Sequence, residues 1–167
     1  MDWNKEQTLE NLEITEANKF AYAALIAAIE SPEVYNPLIL CGDEGTGKTH
    51  MLNAVANYIH DNDENVSIIY KTGDMFARSY ETEIDFSAFC NLYRDVEVLL
   101  VDDVEHILAD KILSKHFFDL IKWRSIHNRR TIFSGIDYEK LEQFEKSLNL
   151  DWSLLAKTWD EKVDEID

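Results

Sequence analysis

Basic residues are in short supply in this sequence. Sixteen lysines and arginines stand against 33 aspartates and glutamates, a formal net charge of −17 over 167 residues. A surface this negative repels DNA phosphates, which argues against strong direct binding to duplex DNA. Arg124, Arg129 and Arg130, with His127 among them, form a local exception, and the bland reading of that cluster is a solvated helix end. Cysteine is equally sparse. Cys41 and Cys90 are the only two, which predicts reduced thiols in a cytosolic compartment rather than a disulfide framework. No Cys/His spacing of the metal-binding kind occurs, and the five scattered histidines read as surface or packing residues. The N-terminal MDWNKEQTLENLE has no basic stretch followed by an apolar one, and no run approaches the length of a membrane span. The expectation is a soluble, cytoplasmic protein. Repeats are lacking too, and the only biased segment is the acidic stretch 160–167.

What is present is enough to fold. Apolar residues make up 46% and aromatic residues 11% of the chain, and the length suits a single domain over 1–167, with 160–167 as a flexible acidic tail. Apolar runs alternate with helical patterns. Thr15 is placed to cap a helix through NKFAYAALIAAIE. Leu38-Ile39-Leu40-Cys41, between Pro37 and Gly42, reads as a strand buried on both faces. A helix over 48–60 follows, with Leu52, Val55 and Ile59 on one face. Strands are predicted at 66–70, 98–101, 131–133 and 154–159. Helices are predicted at 73–80, 86–93, 111–127 and 138–148. The long helix at 111–127 is expected to bury Ile112, Phe117, Leu120, Ile121 and Trp123. This alternation predicts an α/β fold, a three-layer parallel five-stranded sheet with helices on both faces. Ligands on such sheets sit at the carboxyl ends of the strands.

The chemistry concentrates there. Gly42-x-x-x-x-Gly47-Lys48-Thr49 fits the phosphate-binding loop pattern in full, after a buried strand and before a helix. Its glycines let successive N–H groups point at phosphate oxygens, and the helix adds its positive end. Lys48 is placed to reach the terminal phosphates, and the Thr49 hydroxyl to ligate Mg²⁺. Asp102, at the end of the most apolar strand, is the natural second metal partner. Asp103 beside it is placed to orient or deprotonate an attacking water. Asp43 and Glu44 put carboxylates on the same loop. Since backbone amides do the binding, these side chains can face solvent.

The segments Asn18–Ala24, Tyr35–Leu38, Gly42–His50 and Tyr93–Asp103 together resemble the bacterial replication initiator DnaA and its shorter regulatory relative Hda, of the AAA+ class of P-loop ATPases. The resemblance covers residues 8–152. It implies an ATP or ADP site with Mg²⁺. Gly42, Gly45, Thr46, Gly47, Lys48, Thr49 and His50 would line the phosphate cradle. Thr49 and Asp102 would serve the metal, Asp103 hydrolysis, and Ile14 and Asn18 the adenine side. On the fourth strand the family's sensor falls on Ser134 or Asp137, with Ser134 preferred. The departures are as informative. Asn149 stands where the family's arginine finger falls, and no arginine follows Arg130. An asparagine cannot neutralise charge on a transferring phosphoryl group. The family's helical lid and DNA-binding domain have no counterpart in this sequence. The segment between Tyr70 and Tyr93 is short and carries Glu81, Glu83 and Asp85. The resemblance thus implies a weak or partner-dependent ATPase that works as an adaptor or regulator in replication initiation. Its expected partner is a DnaA-type initiator or another replication protein. The alternatives are a helicase-loader-like ATPase completed by a partner's arginine finger, and a nucleotide-free acidic interaction module.

Overall fold

A computed structural model of the chain describes residues 2–31, 33–82 and 85–159. Five strands form one parallel sheet: β1 (Leu38–Cys41), β2 (Ile68–Thr72), β3 (Val98–Asp102), β4 (Arg130–Gly135) and β5 (Leu154–Lys157), in the order β2-β3-β4-β1-β5. Seven helices connect or flank them: α1 (Lys19–Glu30), α2 (Lys48–Asn62), α3 (Gly73–Thr82), α4 (Phe86–Asp95), α5 (Glu105–Leu108), α6 (Lys111–Ile126) and α7 (Tyr138–Leu148).

The strand residues alternate between two cores, as the period of two requires. Leu38, Leu40, Val98, Leu100 and Ile132 join the core beneath α1 and α2. Ile39, Cys41, Leu99, Val101 and Phe133 join the core on the opposite face, beneath α4, α6 and α7. This places helices on both faces of a five-stranded parallel sheet, as expected.

Polar residues set the helix ends. Asp85 accepts from the Ala88 N–H, Asp110 from the N–H groups of Ile112 and Leu113, and Asp137 from that of Lys140. Each offers a carboxylate to donors with no partner inside the helix. At the other end of α7, Asn149 takes the left-handed conformation, φ 51°. This is a helix-ending conformation that asparagine adopts more readily than most residues. Asn149 thus closes α7.

Several expectations need correction. α1 begins at Lys19 with Asn18 at its cap position, not Thr15. Thr15 and Asn18 instead bond each other's backbone: the Thr15 N–H donates to Asn18 Oδ1 at 2.8 Å, and the Asn18 N–H to Thr15 Oγ1 at 3.3 Å. β2 starts at Ile68 rather than 66, and β5 stops at Lys157. The one-turn α5 was not anticipated. Ile112 is 66% exposed, because it sits in the first turn of α6, where the Asp110 cap points it away from the sheet. The arginine cluster is not a solvated helix end: Arg124 is fully buried. The acidic stretch 160–167 and Glu83 lie outside the described residues.

Gly73 opens α3 against the backbone of the β3–α5 turn. A Cβ there would lie 2.0 Å from the Asp103 carbonyl oxygen and 3.1 Å from the Val104 Cα. Backbone cannot step aside as a side chain does. Gly73→Ala is therefore expected to lower the unfolding free energy by about 3 kcal/mol, the upper part of the overpacking range. A urea titration should show an earlier midpoint at unchanged slope. A loss below about 0.5 kcal/mol, the level of an ordinary surface change, would contradict the close packing.

Candidate nucleotide-binding site

The loop between β1 and α2 leaves the sheet at its carboxyl edge. Gly45 and Gly47 both have positive φ, +83° and +96°, and a Cβ on Gly45 would meet nothing within 4 Å. The constraint is conformational rather than spatial, since a positive φ is one that residues with a side chain rarely adopt. Asp43 and Glu44 are exposed, as their charge demands. Gly42 has a different role. A Cβ there would lie 1.6 Å from Thr158 Oγ1. That hydroxyl sits 3.1 Å from the Cys41 carbonyl and 2.8 Å from Thr46 Oγ1, so it ties the end of β5 to the loop. The neighbouring Cys41 thiol is buried, and burial pushes its pKa up to about 11, leaving it unreactive at neutral pH.

Lys48 is buried beneath the loop. Its ammonium donates to the carbonyls of Gly42 and Asp43. Burial lowers its pKa, while Asp102 opposes that shift. Thr49, the next residue, donates its hydroxyl to Asp102 Oδ2 at 2.6 Å. Asp102 is itself held from further sides. Ser134 Oγ donates to its Oδ1 at 2.6 Å, and Tyr70 OH reaches Oδ2 at 3.4 Å. Burial, then the Asp102 charge, raises the Tyr70 pKa, so that phenol stays protonated. Ser134 Oγ also accepts from the Asp103 N–H at 2.9 Å. This holds Asp103 at φ 60°, with its side chain exposed at the cavity.

A cavity of about 540 Å³ gathers Gly45, Gly47, Lys48, Thr49, Asp102 and Asp103 in its wall. An adjoining cavity of about 340 Å³ runs along the other side of the loop, past Leu12, Asn18, Thr46 and Thr158. Asn18 is buried there, with its side-chain amide 3.5 Å from the Thr46 carbonyl. His50 borders both cavities, but its Nε2 is engaged with the Thr8 carbonyl at 2.8 Å. Ile14 is 50% exposed and lines neither cavity. Ser134 is fully buried and acts on the cavity through Asp102 and Asp103. Asp137, the other sensor candidate, is occupied in capping α7.

Sequence reasoning missed the polar strap that closes one side. Residues 3–8 lie against α2 through Asn53 and Asn57. Trp3 Nε1 donates to Asn57 Oδ1 at 3.0 Å, and the Asn4 N–H to Asn53 Oδ1 at 2.9 Å. The Asn53 amide donates to Gln7 Oε1 at 2.7 Å and to the Thr49 carbonyl at 3.0 Å. Gln7 reaches the larger cavity in this way, as do Asp74 and His106 from α3 and α5. The available signal was the spacing of His50, Asn53 and Asn57, which puts three polar residues on one helix face.

The donor set fits a nucleotide with its magnesium ion. The loop has two left-handed glycines and a buried ammonium, the partners a polyphosphate needs. The Thr49 hydroxyl and Asp102 carboxylate, already in contact, are hard oxygen ligands. Among the described residues no group of three or more His, Cys, Asp or Glu could hold a metal alone, so an ion here would draw its remaining ligands from phosphate and water.

A phosphate-binding loop between β1 and α2, an aspartate ending β3 and the strand order β2-β3-β4-β1-β5 together define a P-loop NTPase core of the AAA+ type. A family model described as the bacterial DnaA ATPase domain matches residues 3–156, and the chain belongs to that family. Among solved structures it is similar to domain III of the Thermotoga maritima replication initiation protein DnaA, with a TM-score of 0.80 and 24% identity over 95% of this chain and 69% of that one. It is similar to the AMPPCP-bound DnaA of Aquifex aeolicus, with a TM-score of 0.78 and 26% identity over 95% of this chain and 51% of that one. A DnaC helicase loader shares the fold, with a TM-score of 0.70 and 17% identity over 92% of this chain and 97% of that one. The chain thus spans about half to two thirds of the DnaA chains it matches. Among the described residues no helix is long and apolar enough to cross a membrane.

Proposed function

We propose that this chain binds ATP or ADP with Mg²⁺ in the cavity beside Lys48 and acts as an adaptor or regulator in replication initiation, through contacts with a DnaA-type initiator or another replication protein. The observation that carries this reading is a contrast. The loop, Lys48 and the Thr49–Asp102–Ser134 network are complete, while Asn149 serves as a helix cap where an arginine finger would fall. Family membership supports a nucleotide site, since the Aquifex relative binds the ATP analogue AMPPCP.

In this reading the amides of residues 45–48 and the Lys48 ammonium hold the phosphates. Thr49 and Asp102 hold the magnesium ion, which when bound neutralises phosphate charge. Ser134 keeps the Asp102 carboxylate and the Asp103 backbone in place. Asp103 offers a carboxylate to accept a proton from water. No arginine is supplied beside the phosphate by the segment after β4, so turnover by the chain alone is slow, a finger being worth about 10³–10⁵ in rate. Asn18 lies on the base side of the site, and Ile14 on the adjoining surface.

The test is phosphate release from ATP, with and without an added DnaA-type initiator. The adaptor reading expects slow turnover alone and stimulation below about tenfold, the size of a single modest catalytic interaction. Stimulation well beyond that would favour the loader-like ATPase whose finger comes from its partner. No binding of ATP or ADP at all would favour the acidic interaction module.

A further inference from the structure

Another cavity, of about 360 Å³, opens at the amino edge of the sheet, where β3 begins at Val98 and β4 at Arg130. The phosphate-binding loop lies at the opposite, carboxyl edge. Arg129 and Arg130 share the wall of this cavity with Asn128, which takes the left-handed conformation at φ 58°. The main chain of both arginines is engaged. The Arg129 N–H donates to the Arg124 carbonyl at 2.7 Å, and the Arg130 N–H to that of Glu97 at 3.1 Å. The Arg129 carbonyl accepts from Asn36 Nδ2 at 2.9 Å, and the Arg130 carbonyl from Arg124 Nη2 at 2.7 Å. The side chains are not engaged. Both are half-buried with a buried Nε, and neither guanidinium makes a hydrogen bond or an ion pair among the described residues.

The acids nearby are committed elsewhere or stand off. Glu97 and Asp63 line the same cavity, but each accepts from a main-chain N–H, that of Ser67 at 3.1 Å and that of Asn65 at 3.0 Å. Burial lowers the Arg130 pKa, and the exposed Glu33 acts against that shift. Behind the pair lies Arg124, whose pKa burial and then the Arg129 charge push down. Arg94 also has an unpartnered Nε, but it lies over the Trp123 ring at 5.4 Å. Half-buried cations without a counter-charge are costly, and an anion placed between them removes that cost. A net charge of −17 repels anions from most of this surface, so two uncompensated guanidinium groups on one cavity are an exception. A carboxylate would balance only one of them. A phosphate group carries about −1.5 to −2 near neutral pH and offers three acceptor oxygens to planar forks of this kind.

We propose that this cavity binds a phosphate dianion, free or carried on a small organic molecule, held by the guanidinium groups of Arg129 and Arg130. Tyr58, Ile59 and Val66 supply an apolar wall for an organic part. The inference does not rest on nucleotide binding, and its site is at the other edge of the sheet.

The experiment is NMR of the arginine Nε–H groups in the isotope-labelled full chain at neutral pH and constant ionic strength. The chain is titrated with inorganic phosphate and, separately, with phenyl phosphate. Arg129→Lys and Arg130→Lys assign the two signals. Both signals should shift and saturate with a dissociation constant of about 1 mM, what a few charge-assisted hydrogen bonds leave after the cost of association. The signal of exposed Arg78, which pairs with Asp74, should not follow. Arg129→Gln should weaken binding read at Arg130 about tenfold, and Arg130→Gln should do the same at Arg129, each losing one such bond. Tighter binding of phenyl phosphate would assign the site to a phosphomonoester, and equal binding to free phosphate. Signals that stay still, that drift without saturating, or that move as much with chloride would overturn the proposal. So would unchanged binding in both glutamine variants.

Discussion

Arg124→Met is expected to destabilise this protein by about 4 kcal/mol, the cost of leaving a pair of buried carbonyls without donors. Arg124 is completely buried, and among the described residues no carboxylate pairs with it. Its guanidinium instead binds backbone oxygens: those of Tyr93 at 2.6 Å, Val96 at 2.7 Å and Arg130 at 2.7 Å, with Nε donating to Thr131 Oγ1 at 2.9 Å. One side chain thus ties the α4–β3 connection to the start of β4. Burial pushes its pKa down to about 9, still high enough to keep it charged at neutral pH. Methionine fills much of the space but supplies no donor. Thermal unfolding should shift down by about 10–15 °C, at the few degrees per kcal/mol typical of this chain length. Arg124→Lys should recover less than half of the loss, since a compact ammonium cannot span acceptors set for a planar fork. A shift of only about 3 °C, worth roughly 1 kcal/mol, would show that the buried fork is not what joins these segments.

Lys48→Met is expected to weaken ATP and ADP binding about 100-fold, the loss of one or two charge-assisted hydrogen bonds to phosphate. Methionine keeps most of the aliphatic stem but leaves the Gly42 and Asp43 carbonyls without their donor, so the melting temperature should fall as well. The same ammonium gives a pH signature. Its pKa lies below the ordinary 10.5 because it is buried. A deprotonated amine no longer attracts phosphate, so affinity should fall as pH rises through a value below 10.5. An isothermal titration series across alkaline pH reads this directly. Equal affinity in the two proteins would remove Lys48 from the site.

These predictions differ in how far the sequence alone led to them. Lys48 was legible, because the loop pattern is local: glycine spacing, a buried run before it and a helix after it all lie within about a dozen residues. The five strands were legible for a similar reason, as short apolar runs bounded by turn residues, although their ends moved by one or two positions. Arg124 was not. Three arginines and a histidine within seven residues look like a solvated helix end, and only the packed structure brings the carbonyls of Tyr93 and Val96 to one of them. Ile112 failed in the opposite sense. Its apolar character suits a core, but helical phase at the first turn of α6 turns it outward. The strap of residues 3–8 has no hydrophobic period to announce it. Its partners Asn53 and Asn57 read as ordinary helix polar residues until the chain folds back over them.

Within the site, the sequence suggested roles where the structure supplies linkages. Ser134 is not exposed at the cavity. It joins the Asp102 carboxylate to the Asp103 backbone, a connection between β4 and β3 that no linear spacing reveals. Asn149 was noticed as a missing arginine, and the fold adds that it is a well-suited helix cap.

The most direct test of the account is isothermal titration of the natural chain with MgATP and MgADP at neutral pH. The account predicts one site per chain with a dissociation constant of about 10 μM or tighter, near −7 kcal/mol. No heat up to millimolar nucleotide, together with no ligand-dependent rise in melting temperature, would contradict it.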